Sequence, residues 1–285
     1  MRIQHNIMAM NSYRNYNNNT SALSSNLEKL SSGYRINRAG DDAAGLAISE
    51  KMRAQITGLD AAQKNVQDGI SLVKTAEGAL QEVQDMLNRM VYLAEQSANG
   101  TYENDVDRAA LQDEVNALIT EIDRIGDSTN FNGKKLLDGS LDGSADTKKL
   151  TLQIGDTSDP YNQLMVNIES MKADSIGTTG ADMIKDIDIG TQAGAQEAVA
   201  VIKDAINMVS AQRGKLGAVQ NRLEHTGKNL SVMEENIQNA ESAIRDTDIA
   251  DEMTAYTKNN ILLQSAQAML AQANQVPQGV LQLMQ

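Results

Sequence analysis

The end of this chain is the feature that most limits what it can fold into. The last 27 residues, Asn259 to Gln285, contain no Asp, Glu, Lys or Arg, although the whole chain has a formal net charge of −13. Ten of these 27 residues are Asn or Gln. Apolar residues recur among them at alternating intervals of four and three, the spacing of a coiled-coil-like seam. We therefore expect a helix that packs against a partner through Leu262, Ala266, Met269, Ala273, Val276, Val280 and Leu283.

The beginning of the chain has the same character. The same spacing occurs there in two pieces, separated by the polar stretch from Asn15 to Asn19, and up to residue 27 only Arg2 and Arg14 are charged. Two weakly charged amphipathic ends on an acidic chain predict that the ends pair with each other and with copies of themselves. The chain is thus predicted to be a homo-oligomer whose N-terminal subunit-assembly residues are Ile3, Ile7, Met10, Leu23, Leu27 and Leu30.

Three other interpretations of the ends carry less weight. A membrane span is disfavoured because the amide groups, together with Pro277, would need partners in hydrocarbon. Nucleic-acid binding is disfavoured because Lys and Arg are scattered and the sequence pI is about 4.6. An intramolecular core helix remains an alternative, as in a soluble binding module whose ends close a bundle. It ranks below assembly because a fully buried helix would not also carry an amide-rich face.

The interior of the chain predicts long helices. There is no Trp and a single Phe, so the core must be built mainly from aliphatic residues and Met, a mixture that favours helix-on-helix packing. Heptad-like spacing predicts helices from about Glu197 to Asp246, from Gly58 to Ala98 and from Asp105 to Ile125. The predicted fold class is mainly α, a long antiparallel helical bundle or coiled coil with paired N- and C-terminal helices and a small β-hairpin region in the middle.

The pattern changes between residues 126 and 196. Asn132-Gly133 is a hairpin-turn dipeptide, and the segments Leu150–Ile154 and Leu164–Ile168 alternate with period 2, so they predict short strands. We expect two domains: an inner terminal coiled coil of residues 1–44 and 245–285, and a rod-like bundle of residues 45–244 with a hairpin cap at about 126–196. The stretch from Gly33 to Gly45 is interpreted as an ordered spacer, with a flexible linker as the close alternative.

The sequence offers no catalytic or metal-binding constellation. There is no Cys, and the two histidines, His5 and His225, lack a plausible partner for metal ligation or a catalytic relay. Asp138, Asp142 and Asp146 do not have the spacing of a calcium loop. No phosphate-binding glycine loop, nucleophile elbow or zinc-protease motif occurs. We therefore predict no catalytic, cofactor-binding or metal-binding residues, and no enzyme.

Five motifs give the chain a resemblance to bacterial flagellins, the subunits of the flagellar filament. They are MRIQHNIMAMN at Met1–Asn11, LEKLSSGYRINRAGDDAAGLA at Leu27–Ala47, QSANGT at Gln96–Thr101, NFNG at Asn130–Gly133 and LAQANQVPQGVL at Leu270–Leu281. The resemblance covers approximately residues 1–140 and 195–285, and it indicates a short form without the large outer domains of many flagellins. A hook–filament junction protein is the closest rival, but it usually departs from the LAQANQVPQGVL ending.

The resemblance implies a function and a set of partners. Flagellin termini are disordered in the monomer and become paired helices lining the filament core, around a channel through which unfolded subunits travel. The implied function is therefore a self-assembling structural subunit of the extracellular flagellum, which serves swimming motility. The implied partners are a flagellar export chaperone that masks the C-terminal helix, the flagellar secretion apparatus, and the filament cap and junction proteins. Export by that apparatus fits an N-terminus without the apolar run of a cleavable secretory signal.

The resemblance also implies that the animal Toll-like receptor 5 recognises the chain. The recognition segment of the family falls on Asn88–Gln96, where Arg89 and Leu93 match, and Glu114 matches a contributing position on the next helix. The chain departs from strongly stimulatory members at Tyr92, where they have Glu, and Val91 replaces a second Arg. Arg89, Leu93 and Glu114 are the predicted receptor-binding residues, with subunit packing as the alternative role of Arg89.

Overall fold

A computed structural model describes residues 6–143, 149–177 and 183–283, with the side chains of Asp105 and of residues 276–283 left undescribed. Ile3 lies outside these residues, and Val276, Val280 and Leu283 lie outside those with described side chains. The predicted mainly-α fold class is confirmed. Its five α-helices are α1 (Ile7–Ser32), α2 (Ala43–Ser97), α3 (Ala109–Ser128), α4 (Gln192–Arg245) and α5 (Ile249–Leu283).

Two compact units divide the chain. The first, unit 1, combines Met1–Ile56 with Glu235–Gln285, and the second, unit 2, is Thr57–Glu234. Unit 1 thus holds all of α1 and α5 together with the first turns of α2 and the last turns of α4. The sequence-based division at residues 44 and 245 stays a prediction.

In unit 1, α1 and α5 pack along each other as an antiparallel pair. The start of α1 lies beside the later part of α5, because the Asn6 side chain donates from Nδ2 to the Ala273 carbonyl oxygen over 2.8 Å. The same Asn6 side chain caps α1 by accepting from the Ala9 amide. At its other end, α1 stops at Gly33, which adopts the left-handed conformation (φ 76°) that favours glycine. The polar stretch Asn15–Asn19 does not interrupt α1.

Helix α2 begins much earlier than the predicted Gly58. Asp42 supplies the missing start signal, because its Oδ1 accepts from the Gly45 amide over 2.9 Å. Gly58 lies inside the helix, at a point where a Cβ atom would meet Asp156 at 3.1 Å. Gly58 is therefore not the start of the helix. It is the residue at which the loop containing Asp156 approaches α2 closely.

Helix α2 ends at Ser97, within one residue of the predicted Ala98. Gly100 does not adopt a positive φ, so it is not the C-terminal cap of this helix. Instead, the buried Arg108 guanidinium donates to the carbonyl oxygens of Ser97 and Asn99, each over 2.9 Å. Arg108 closes a single π-helical turn, Asn104–Arg108, that leads into α3. A side chain from the next element thus satisfies the free carbonyl groups at the end of α2.

Unit 2 is built from the remaining parts of α2 and α4, with α3 and two small hairpins. Its core is aliphatic, and the fully buried side chains include Leu80, Leu87, Met90, Ile122 and Leu136. One stripe of α4 follows the heptad-like spacing, and from Ile202 to Leu230 it is buried except at Val219 and Thr226, which are half-buried. Beyond these, Met233 is exposed, so the stripe is not a continuous core.

Both predicted hairpins are present. Strand β1 (Asn130–Phe131) pairs antiparallel with β2 (Lys134–Lys135), and β3 (Leu150–Gln153) pairs antiparallel with β4 (Gln163–Val166). In the first hairpin Asn132 and Gly133 both have positive φ, 49° and 79°, as a two-residue type I′ turn requires. The second hairpin rests on α2, because Asn65 donates to the Gln153 carbonyl oxygen over 3.1 Å.

Candidate interaction surfaces

The seam between α1 and α5 contains many polar and small residues. The sequence prediction, which was based on apolar residues, did not include them. One stripe of buried or half-buried residues follows the same alternation of three and four, and it shares only Leu23, Leu30, Ala266 and Ala273 with the predicted stripe. It consists of Ala9, Ser12, Tyr16, Asn19, Leu23, Asn26 and Leu30 on α1, and Tyr256, Asn259, Leu263, Ala266, Leu270 and Ala273 on α5. Leu23, Leu30, Ala266 and Ala273 therefore pack within the chain.

Asn26 is the buried polar residue of this seam. Its amide lies 2.7 Å from the Ala22 carbonyl oxygen, 3.1 Å from the Tyr256 nitrogen and 3.3 Å from the Asn259 Nδ2. With its amide oxygen turned toward α5, Asn26 accepts from both Tyr256 and Asn259 and donates to Ala22. A buried Asn in such a seam fixes register, because any slip leaves its amide without partners. The regular spacing of Tyr16, Asn19, Leu23 and Asn26 was the sequence signal that could have identified this seam.

The remaining predicted assembly residues with described side chains face solvent. Ile7 and Met10 are each 64% exposed, Leu27 55%, Leu262 41% and Met269 63%. Further exposed apolar residues occur on the same two helices, and we call the whole set the outer apolar surface: Ile7, Met8, Met10, Tyr13, Leu27, Ile249, Met253, Ile261, Leu262 and Met269. An apolar surface of this extent on a monomer marks a contact site for another molecule.

The connections between helices in unit 1 form a second cluster, which we call the Arg245 cluster: Tyr34, Arg35, Glu50, Arg245 and Asp246. The Arg245 guanidinium is 2.7 Å from a Glu50 carboxylate oxygen and lies over the Tyr34 ring at 4.8 Å from its centroid. The two chain segments pair as an antiparallel bridge between Tyr34 and Asp246. The Arg35 amide donates to the Arg245 carbonyl oxygen over 2.7 Å, and the Arg35 guanidinium donates to that of Ile244.

The charges of the Gly33–Gly45 segment are satisfied within the chain. Arg38 pairs with both Glu28 carboxylate oxygens, at 3.0 and 3.2 Å. The Asn37 and Arg38 amides donate to Asp41, and these two hydrogen bonds lower the pKa of the Asp41 carboxyl. Ile36 is buried. The segment is therefore ordered by contacts within its own chain.

The predicted receptor-binding residues lie together where α2 meets α3. The Arg89 guanidinium pairs with the Glu114 carboxylate over 2.7 Å, and both side chains are about half exposed (49% and 42%). Arg89 also lies 5.3 Å from the centroid of the exposed Tyr92 ring. Leu93 is only 1% exposed and belongs to the core of unit 2. Arg89 and Glu114 thus form a surface pair, while Leu93 supports it from inside.

The structure gives no sign of a chemical centre around the histidine it describes. His225 lines an open groove of about 500 Å³ in unit 2, together with Leu59, Asp156, Tyr161, Arg222 and Met233. Within residues 6–143, 149–177 and 183–283, no group of three or more His, Cys, Asp or Glu is placed to hold a metal ion. Among those same residues, no helix is long and apolar enough to cross a membrane. The features that stand out among the described residues are the outer apolar surface, the Arg245 cluster and the exposed Arg89–Glu114 pair.

Comparison with known proteins identifies the class to which these helices belong. Residues 3–142 match the bacterial flagellin N-terminal helical region, and residues 199–284 match the bacterial flagellin C-terminal helical region. A flagellin from Bacillus subtilis (strain 168) is 53% identical over 305 aligned residues, covering 100% of both chains. A flagellar filament 30.7 kDa core protein from Treponema maltophilum is 47% identical over 287 residues, again covering 100% of both.

The chain therefore belongs to the bacterial flagellin family. The resemblance inferred from the five sequence motifs is confirmed, and the full-length match to short relatives agrees with a form of 285 residues. Members of this family are structural proteins, so the chain is not an enzyme.

Proposed function

We propose that this chain is the subunit of an extracellular flagellar filament, and that it polymerises through the outer apolar surface of α1 and α5. The observation that carries the proposal is that Ile7, Met10, Leu27 and Met269 are each more than half exposed although α1 and α5 are already paired. The name of the Treponema maltophilum relative, a flagellar filament core protein, supports the same role.

Burial of this surface supplies a sufficient driving force for assembly. Burying one Leu, Ile or Met side chain contributes about 1.5–3 kcal/mol. Several such side chains per subunit offset an association cost of about 4–15 kcal/mol. In a head-to-tail contact, a surface on one subunit fits a different surface on the next subunit. When repetition of this contact does not close into a ring, the subunits form an open helical polymer.

The family resemblance supports the remaining steps of the proposal. The subunit leaves the cell unfolded through the flagellar secretion apparatus, with a chaperone covering the apolar side of α5 beforehand. It is added to the filament beneath cap proteins and is joined to the hook by junction proteins. A segment without Asp, Glu, Lys or Arg suits the lining of an export channel, because amides hydrogen-bond to water without holding passing chains electrostatically.

Removal of residues 259–285 tests the filament role. The full-length chain is expected to elongate short filament seeds, and electron microscopy will show long helical polymers. The truncated chain keeps the whole of unit 2 and is expected to stay soluble and helical by circular dichroism, yet to add nothing to the seeds. A full-length chain that remains monomeric at high concentration with seeds present would refute the proposal.

We further propose Toll-like receptor 5 binding, because the exposed Arg89–Glu114 pair coincides with the recognition segment implied by the resemblance. Leu93 then acts by holding α2 in place, since it is buried. Arg89→Ala is expected to reduce the response of a receptor reporter cell line. The matched control is Arg124→Ala, which removes another exposed Arg–Glu pair, with Glu121 on α3. Equal responses from the two variants would exclude a role for Arg89.

A further inference from the structure

The antiparallel pairing of α1 and α5 is only weakly specified by its own seam. Many of its positions are Ala, Ser, Asn or Tyr, with Leu at four positions: Leu23, Leu30, Leu263 and Leu270. Small and polar residues that repeat at heptad spacing tolerate a slip of one repeat, since similar residues meet after the slip. Asn26 opposes such a slip, but a second determinant of register is needed where α1 ends and α5 begins.

The Arg245 cluster lies at that place. It connects the segment that leaves α1 to the segment that enters α5, through the Tyr34–Asp246 bridge and through the Thr247 amide, which donates to the Gly33 carbonyl oxygen over 3.0 Å. The next residue, Asp248, caps α5, because its Oδ1 accepts from the Ala250 amide over 2.8 Å. The end of α1 at Gly33 and the start of α5 at Asp248 are therefore tied together through backbone hydrogen bonds.

Arg245 is the side chain that holds these segments to α2. It is only 13% exposed, and it contacts Glu50 on α2, Glu241 on its own helix at 4.0 Å, and the Tyr34 ring of the connecting segment. A planar guanidinium can pair with carboxylates along its edge and stack on an aromatic ring with its face at the same time. A compact ammonium group makes this combination of contacts less well. The Arg245 side chain is largely buried whereas Glu50 is 54% exposed, so removing the Glu50 carboxylate leaves a sheltered guanidinium with one fewer partner.

We infer that Arg245 and Glu50 are positioning residues that set the register of α1 against α5, and thereby align the two halves of the outer apolar surface for assembly. This inference rests on the proposed filament function. The halves contributed by α1 and by α5 lie on different helices, so a slip of one heptad along the pair moves one half by roughly 10 Å relative to the other. A subunit with slipped helices would present a surface that its neighbours do not fit.

A charge exchange tests the assignment in assembly. Arg245→Glu and Glu50→Arg are each expected to slow seeded elongation by at least about fivefold, the effect of roughly 1 kcal/mol. The double variant Glu50→Arg/Arg245→Glu restores the ion pair in reverse and is expected to recover part of the rate, since the contacts of Arg245 with Glu241 and with the Tyr34 ring stay lost. The matched control is Lys64→Glu, which reverses a charge in the exposed Lys64–Asp60 pair of unit 2 and is expected to leave the rate unchanged.

A second readout measures register directly in the free chain. The chain contains no Cys, so Asn26→Cys with Asn259→Cys introduces only two thiols, at positions whose side chains meet across the α1–α5 seam. Asn26→Cys also removes the Asn26 amide from the seam, so register in this background depends on the Arg245 cluster. A short thiol-to-thiol crosslinker is expected to join the two thiols efficiently while that cluster is intact. Arg245→Glu added to this background is expected to reduce the yield severalfold, and the charge exchange is expected to restore it. Circular dichroism verifies that each variant remains helical.

The two readouts separate the possible failures. Unchanged elongation and unchanged crosslinking in Arg245→Glu would overturn the inference. Loss of both without any recovery in the charge exchange would also overturn it, because the contact between Arg245 and Glu50 would then not be the cause. If the unmodified chain itself does not elongate seeds, the filament proposal fails, whereas the crosslinking yields still decide whether Arg245 sets register.

Discussion

The ion pair between Glu50 and Arg245 makes the stability of unit 1 depend on pH. The hydrogen bond from Arg245 lowers the pKa of Glu50 from its ordinary value of 4.5, against an opposing effect of burial and with a smaller contribution from Arg53. A carboxyl whose pKa is lower in the folded chain stabilises the fold at pH values above its unfolded pKa. That stabilisation disappears as the pH falls through the folded pKa.

This sign gives a prediction for Glu50→Gln. The unmodified chain is expected to unfold at a higher temperature than Glu50→Gln at about pH 6. The difference is expected to be smaller at about pH 3, because the stabilisation is lost as the pH falls from 4.5 through the lowered folded pKa of Glu50. Thermal unfolding followed by circular dichroism at both pH values measures it. Other carboxyl groups titrate in both proteins, so their effect on the unfolding temperature cancels in the comparison. A difference of the same size at the lower pH would show that Glu50 acts by packing and not by charge.

Two glycines within α2 are expected to respond in opposite directions to the same substitution. A Cβ at Gly69 would lie 2.7 Å from a Leu152 methyl group of β3, whereas a Cβ at Gly78 meets nothing within 4 Å. Gly78→Ala is expected to stabilise the protein by about 1 kcal/mol through helix propensity alone. Gly69→Ala gains the same propensity but overpacks the contact with Leu152, at a cost of about 1–3 kcal/mol. Denaturant unfolding of both variants measures the difference, and equal stabilisation would show that the hairpin moves away freely.

Among the elements, the β1–β2 hairpin depends most on one backbone conformation. Gly133 has φ 79°, which costs other residues about 1–2 kcal/mol. Gly133→Ala is therefore expected to destabilise unit 2 by about that amount, while Asn132→Gly, at the neighbouring position with positive φ, is expected to be close to neutral. Urea unfolding compares the two. Equal destabilisation would indicate that the Asn132 side chain, and not the turn geometry, stabilises the hairpin.

The elements show how far local sequence signals reach. The type I′ turn and the alternating strands were predictable because their signals lie within a few residues. The start of α2 was not predictable in this way. The predicted helix began at Gly58, but that glycine lies inside α2, where Asp156 approaches the backbone closely. The α1–α5 seam was partly missed for a related reason. The prediction gave one stripe on each helix both the contact within the pair and the contact with copies of the chain. The structure instead packs small and polar residues such as Asn26 within the pair and leaves Ile7 and Met269 exposed.

The interaction surfaces were predictable to different degrees. Helical spacing identified Ile7, Met10 and Met269 as surface-forming apolar residues without distinguishing the inner from the outer face. The Arg245 cluster could not be found in this way, since Tyr34, Glu50 and Arg245 are far apart in the chain and are united only by the path of the two connecting segments. Arg108 is a similar case, because its hydrogen bonds reach back to Ser97 and Asn99.

At the scale of the whole molecule, assembly should depend on the outer apolar surface and not on α5 as such. Leu262→Ser combined with Met269→Ser is expected to raise the concentration needed for seeded elongation by at least about tenfold, since burial of each side chain contributes about 1.5–3 kcal/mol. The pairing of α1 with α5 should persist, because both residues lie outside the seam. Gln264→Ser changes an exposed polar residue of the same helix and is the control. Normal elongation of the double variant would assign assembly to another surface.

The antiparallel course of α1 and α5 has a practical meaning for anyone who labels this protein. Asn6 and Ala273 are direct neighbours, so labels attached at these two positions would lie close together on the α1–α5 pair. Epitopes grafted for display belong instead in the connection between β3 and β4, around the exposed Tyr161, which lies in the other unit and leaves both helices untouched.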